Sequence, residues 1–175
     1  MTSSLIFTLL RYAVVLALTC YALLQARKPD KWFGRIFAVA MNKSHEAMTA
    51  WGLGHVTIES QFHILDVGCG GGRTIEKLAA IARTGVIYGI DYAEGSVAVA
   101  RKHNASLIEA GHVVIQKASV SQLPFPDNTF DLSMTTFVFT GLADDVSAAK
   151  HILRTLKPGG NGVVAVWKDM PWHVA

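Results

Sequence analysis

The sequence predicts an open, doubly wound α/β sheet preceded by an apolar helix. Three observations carry this. From residue 62 onward, short apolar runs bounded by glycine alternate with stretches of helical periodicity, the pattern of parallel strands joined by crossover helices. A glycine-rich turn, Gly68 to Gly72, follows the first of these runs. The twenty residues 5–24 contain one charge, Arg11.

The first apolar run, ILDV at 64–67, is too short for a helix and apolar enough for a strand buried on both faces. Ile75, Leu78, Ala79 and Ala82 then give a helical stripe. A second strand is predicted at 86–90, and Val97, Ala100, Leu107 and Ile108 mark a second helix. Strands follow at 113–116 and 130–134. Val146, Ala149, Leu153 and Leu156 form the stripe of a further helix, halted by the KPGG run at 157–160, and 163–167 supplies a fifth strand.

Composition narrows the class. Of 175 residues, 51% are hydrophobic and 17% charged, which excludes a disordered or collagenous chain. A net charge of +3 with no basic stripe gives no expectation of nucleic-acid binding. Two cysteines, Cys20 and Cys69, do not make a disulfide framework.

Residues 5–24 carry eleven Leu, Ile, Val or Phe. As a helix they would reach about 30 Å, the thickness of a bilayer core, so the expectation is a transmembrane anchor. Arg27, Lys28, Lys31 and Arg35 follow it and no charged side chain precedes it, which places the remainder in the cytoplasm as a single-pass protein. Residues 1–27 are then the anchor, 28–58 a helical linker or cap, and 59–175 the main domain. In the linker, Phe33, Ile36, Phe37, Ala40 and Met41 form one helical stripe, and Ser44 is placed to cap a second helix ending at Gly52. His45-Glu46 begins a zinc-protease pattern, but Thr49 stands where its second histidine is required, so no metal site is expected.

The chemistry concentrates at Asp66-Val67-Gly68-Cys69-Gly70-Gly71-Gly72. Glycines admit positive φ and let a ligand approach the backbone, and the following helix N-terminus offers unpaired N–H groups. Asp66 adds a carboxylate for a cationic group. Asp91, twenty-three residues beyond Gly68, ends the second strand, where an acid is placed to accept from both hydroxyls of an adenosine ribose. Arg73 occupies the place of the last dinucleotide-motif glycine, and no tyrosine is followed four residues later by lysine, which disfavours a nicotinamide oxidoreductase.

ILDVGCGGG (64–72), YGIDYAEGSVAVAR (88–101), LPFPDNTFD (123–131) and LKPGG (156–160) together resemble the successive motifs of the class I S-adenosylmethionine-dependent methyltransferases. The likeness extends to the ubiquinone/menaquinone-biosynthesis enzymes and related small-molecule and lipid methyltransferases, and covers about residues 60–167. It implies a Rossmann-like methyltransferase sheet with S-adenosyl-L-methionine as cofactor. It also implies that Asp66, Gly68, Cys69, Gly70 and Gly72 hold the methionine part, Asp91 the ribose, and Tyr92, Ser119 and Val120 the surroundings of the adenine. Ser119 and Val120 stand where the family usually has an Asp-Ala pair, and Tyr92 where it has an apolar residue.

No catalytic residue is assigned. His45, Asp144 and Asp145 are weighed as bases and read as surface or capping residues, while Thr135, Thr136 and Phe137 at the end of the fourth strand are expected to face cofactor or acceptor. The family's sheet normally continues beyond strand 5, so the sequence reads as truncated there, with a strand edge open to self-association. The expected function is methyl transfer to a small-molecule or lipid acceptor. The alternatives are an inactive cofactor-binding remnant and a nicotinamide-dependent oxidoreductase.

Overall fold

The computed structural model describes residues 3–27, 46–136, 138–139 and 144–165. The elements are α1 (Ser3–Arg27), α2 (Glu46–Leu53), β1 (Ile64–Val67), α3 (Arg73–Ile81), β2 (Ile87–Asp91), α4 (Glu94–His103), α5 (Ala105–Glu109), β3 (Val113–Lys117), β4 (Phe130–Thr136), α6 (Asp145–Thr155) and β5 (Leu156–Ala165). The predicted stripe at 33–41, the cap at Ser44, and Phe137 and Trp167 lie outside the described residues.

The five strands form one parallel sheet in the order β3-β2-β1-β4-β5. After β1 the chain winds outward through β2 and β3, then returns to the other side of β1 for β4 and β5. The winding direction reverses between β1 and β4, and open α/β sheets bind ligands outside the strand ends at such a point.

Alternation divides the sheet into two faces. On one, Ile64, Ile87 and Leu132 pack with Ile75 and Leu78 of α3 and Val97 and Ala100 of α4. On the other, Leu65, Val67, Ile90 and Phe130 pack with Ala148 and Ile152 of α6. Burying five such side chains at about 1.5–3 kcal/mol each outweighs any local propensity, so tertiary packing fixes the register. Tyr88, Phe125 and Phe130 close the second face with edge-to-face rings 5.0–5.7 Å apart.

Three expectations are corrected. Among the described residues, no helix is long and apolar enough to cross a membrane. Helix α1 runs over 25 residues, but it carries Arg11 and the hydroxyls of Thr8, Tyr12, Thr19 and Tyr21. The transmembrane helix at 5–24 is therefore withdrawn, and the cytoplasmic orientation read from the charges after it loses its basis.

Helix α6 turns a different face inward than predicted. Ala148, Ile152 and Thr155 are buried, whereas Val146 and Leu153 are 62% and 66% exposed. Both stripes have helical spacing, and it is Ala148 and Ile152 that pack on Leu65, Val67 and Ile90; Asp144 Oδ1 accepts from Ser147 N at 2.9 Å where the helix starts. Strand β5 begins at Leu156, the last residue of the predicted helical stripe, and runs on through the KPGG read as a stop signal. Leu156 pairs with Phe130, and an irregularity between Phe130 and Leu132 absorbs the glycines before pairing resumes at Asn161.

Candidate active site at the β1–β4 crevice

The site grows from the end of β1. Gly68, Gly70 and Gly72 all have positive φ, at 73°, 52° and 83°. This backbone path is open to glycine and costly for other residues, which is why the turn has its composition. Gly68 N and Cys69 N both donate to Ile90 O, at 2.8 and 2.9 Å, and Gly72 N donates back to Cys69 O at 2.9 Å. The turn is thus laced to β2 before α3 begins.

Asp91 completes the lacing. Its Oδ2 accepts from Gly70 N at 3.0 Å and its Oδ1 from Ala93 N at 2.8 Å. Burial pushes its carboxyl above the ordinary range, partly offset by the N–H groups of Ala93, Gly70 and Tyr92. Each oxygen retains a lone pair for a further donor.

Asp66 is the contrasting acid. It is 3% exposed, and among the described residues nothing donates to its Oδ2. Burial first, and the nearby Asp91 second, push its carboxyl up to about 7. Burial likewise raises the Cys69 thiol, with Asp66 and Asp91 adding to the effect, so Cys69 fills space as a neutral side chain. Room for it comes from Gly89, where a Cβ would meet Ile75 and Cys69. A buried carboxylate oxygen without a donor fits an arriving ammonium group.

The other predicted residues lie around this pair. Tyr92 is 47% exposed beside Asp91. Ala118 N donates to Asp91 O at 3.1 Å, so Ser119 and Val120 follow directly from the site. Ser119 is exposed and its Oγ accepts from Ser121 N at 3.3 Å, while the Val120 side chain packs into the core beside Leu65 and Ile90. On β4, Met134 and Thr135 pair with Asp66 and Val67, and the hydroxyls of Ser133, Thr135 and Thr136 are buried without hydrogen-bond partners among the described residues. Asp144 is the cap of α6, as read from the sequence.

Two residues escaped the sequence reading. Val138, past the end of β4, lies so close to the turn that a Cβ on Gly68 would overlap its Cγ2. Nothing in the sequence signals that contact. Asn104 donates from Nδ2 to Gly72 O at 3.0 Å. An asparagine inside a predicted helix was a usable signal, since this residue competes with helical hydrogen bonding.

The crevice is therefore a glycine turn between two buried acids at the reversal point of a parallel sheet. A family model described as methyltransferase domain matches residues 65–164, spanning β1 to β5. A demethylmenaquinone methyltransferase of Symbiobacterium thermophilum is 37% identical over 99 residues, covering 56% of this chain and 39% of that protein. A ubiquinone/menaquinone biosynthesis C-methyltransferase of Geobacter sulfurreducens is 35% identical over 102 residues, covering 58% and 40%. The chain thus spans about two fifths of the length of these curated relatives. Among solved structures, the S-adenosylmethionine-dependent methyltransferase of Aquifex aeolicus superposes with a TM-score of 0.66 at 22% identity, covering 74% of this chain and 71% of that one. The [4+2]-cyclase SpnF superposes at 0.63 with 27% identity, covering 70% and 45%. The match from β1 to β5 bears out the resemblance read from the four motifs: the chain belongs to the methyltransferase-domain family of class I S-adenosylmethionine-dependent enzymes.

Proposed function

We propose that residues 59–175 form a cofactor-binding domain that transfers the methyl group of S-adenosylmethionine to a small, apolar, quinone-like acceptor. The observation that carries the cofactor reading is the difference between the two acids. Asp91 is satisfied by backbone N–H groups and keeps lone pairs for ribose hydroxyls, while Asp66 Oδ2 lies buried and unmatched, suited to the ammonium of the methionine moiety. When bound, the cofactor supplies an activated methyl on a sulfonium. The chain's part is alignment, worth up to about 7–11 kcal/mol in well-oriented reactions. Asp66 and Asp91 hold the two ends of the ligand, the positive-φ glycines let it lie against backbone, and Val138 with Thr136 borders the side from which an acceptor approaches.

The acceptor class rests on the quinone methyltransferases among the relatives and on the apolar Val138 beside the turn. A second reading, a reaction on this fold other than methyl transfer, is favoured only by the likeness to a [4+2]-cyclase. Incubation with methyl-labelled S-adenosylmethionine and a panel of demethylated quinols and phenols distinguishes them. Label in the acceptor fraction with matching S-adenosylhomocysteine supports transfer. Cofactor binding with no product from any acceptor in the panel counts against the quinone-like acceptor.

A further inference from the structure

The last glycine of the turn is held from behind. Asn104, at the junction of α4 and α5, is 1% exposed. Its Nδ2 donates to Gly72 O at 3.0 Å and to Ala100 O at 2.9 Å, which uses both of its N–H groups. Its Oδ1 is buried with no partner among the described residues. The Ala100 bond is local and duplicates one that the Asn104 backbone N already makes to the same carbonyl at 3.0 Å. The Gly72 bond joins two elements thirty-two residues apart.

Gly72 is the N-cap of α3 and has no side-chain cap of its own. Its carbonyl receives Glu76 N at only 3.4 Å, so the Asn104 amide is the shorter contact. Turning that carbonyl means turning the plane of the Gly72–Arg73 peptide, which redirects the first N–H of α3 at the mouth of the site. Space is tight: a Cβ at Gly72 would stand 2.5 Å from Asn104 Nδ2 and 3.0 Å from Ala100. Burying an amide whose oxygen goes unmatched is unfavourable where an apolar side chain fits, and the bond to the turn is what offsets it.

We propose that Asn104 is a positioning residue for the cofactor site, its buried amide clamping the Gly72 peptide so that the turn and the α3 N-terminus hold the shape that binds the methionine moiety. This rests on the cofactor reading above. Loss of one such hydrogen bond predicts about five- to tenfold weaker cofactor binding.

The test uses the full chain and S-adenosylmethionine, by calorimetry well below the melting temperature, with near-ultraviolet dichroism confirming native packing. Asn104→Ala removes both bonds. Asn104→Ser restores the local bond, because a serine hydroxyl reaches the carbonyl four residues back but not Gly72. We expect both Asn104→Ala and Asn104→Ser to bind about five- to tenfold more weakly than wild type. Folded variants with wild-type affinity overturn the proposal and leave Asn104 a structural residue. If neither variant folds, amide NMR of the wild type decides. Side-chain signals of Asn104 that shift on saturation together with the Arg73 amide support the clamp, and signals that stay still while Arg73 shifts overturn it. A wild-type chain that folds yet shows no saturable binding fails the cofactor reading itself.

Discussion

Asp91 Oδ2 accepts the backbone N–H of Gly70 at 3.0 Å, so the acid ending β2 also fastens the glycine turn that follows β1. A substitution there tests two things at once, and the choice of side chain separates them.

Asp91→Ala removes the acceptor for Gly70 and Ala93 as well as any contact to ribose, and is expected to cost about 2–3 kcal/mol of stability. Asp91→Asn keeps one acceptor oxygen and fits the same space, so its melting temperature stays nearer wild type while cofactor affinity falls roughly tenfold or more. Thermal denaturation and equilibrium dialysis on the pair check this. Equal affinity in Asp91→Asn and wild type removes the ribose assignment.

Asp66 carries a pH signature. Its folded carboxyl lies near 7 against 3.8 in the unfolded chain, so the folded state holds the extra proton between these values. Stability contributed by this group is therefore full below about pH 4, declines as pH rises, and is lowest above about 7. Asp66→Asn never carries the charge, so it should melt higher than wild type at pH 8, by a margin that vanishes near pH 4. The same variant should bind the cofactor more weakly, since no carboxylate meets the ammonium. Melting curves from pH 4 to 8 decide, and a variant less stable than wild type at pH 8 contradicts the burial argument.

At the opposite end of the sheet, Asp131 joins three strands. Its Oδ2 accepts from His63 N at 2.8 Å, just before β1, and its Oδ1 from Lys157 Nζ at 2.7 Å in β5. Burial is the largest single influence and raises this carboxyl, but the hydrogen bonds and charges of Lys157 and His63 together outweigh it and hold the group below the ordinary range. The linkage sign is opposite to that of Asp66: this stability is present above the usual carboxylate pKa and lost as pH falls through the depressed value. Because Lys157 is partly exposed, Lys157→Met should cost only about 1 kcal/mol at pH 7, with cofactor affinity unchanged. Urea unfolding at pH 7 and pH 3 measures it, and a cost that is larger at pH 3 opposes the assignment.

Gly68 combines positive φ with contact to Val138. Gly68→Ala should destabilise by roughly 1–3 kcal/mol, of which about 1 kcal/mol or more belongs to the backbone conformation. Adding Val138→Ala should relieve the overlap and leave the conformational part. A double-mutant cycle on unfolding free energies reads the coupling. Strict additivity refutes the contact.

Much of this was legible in the sequence because each buried strand had to be a short apolar run and each bend a glycine. Asp66 and Asp91 could be placed because one stands a residue before the end of β1 and the other ends β2, strands that neighbour in a doubly wound sheet. What was not legible depended on choices between equivalent patterns. Val146 and Leu153 share a helical stripe as Ala148 and Ile152 do, and packing against the sheet takes the second pair. The KPGG run reads as a stop, yet pairing of Leu156 with Phe130 draws it into β5. The predicted second helix divides at Asn104, whose φ of −105° ends α4 and starts α5. The contact of Val138 with Gly68 joins residues seventy apart, beyond any local periodicity. The apolar run at 5–24 suggested a span, whereas among the described residues no helix is long and apolar enough to cross a membrane.

The most direct test of the central claim is calorimetric titration of the full chain with S-adenosylmethionine and, separately, with NAD. The two-acid crevice predicts saturable binding of one S-adenosylmethionine per chain, weakened in Asp66→Asn and Asp91→Asn, and no saturable binding of NAD. A folded wild-type chain that binds NAD instead, or binds S-adenosylmethionine with an affinity that neither substitution changes, would contradict it.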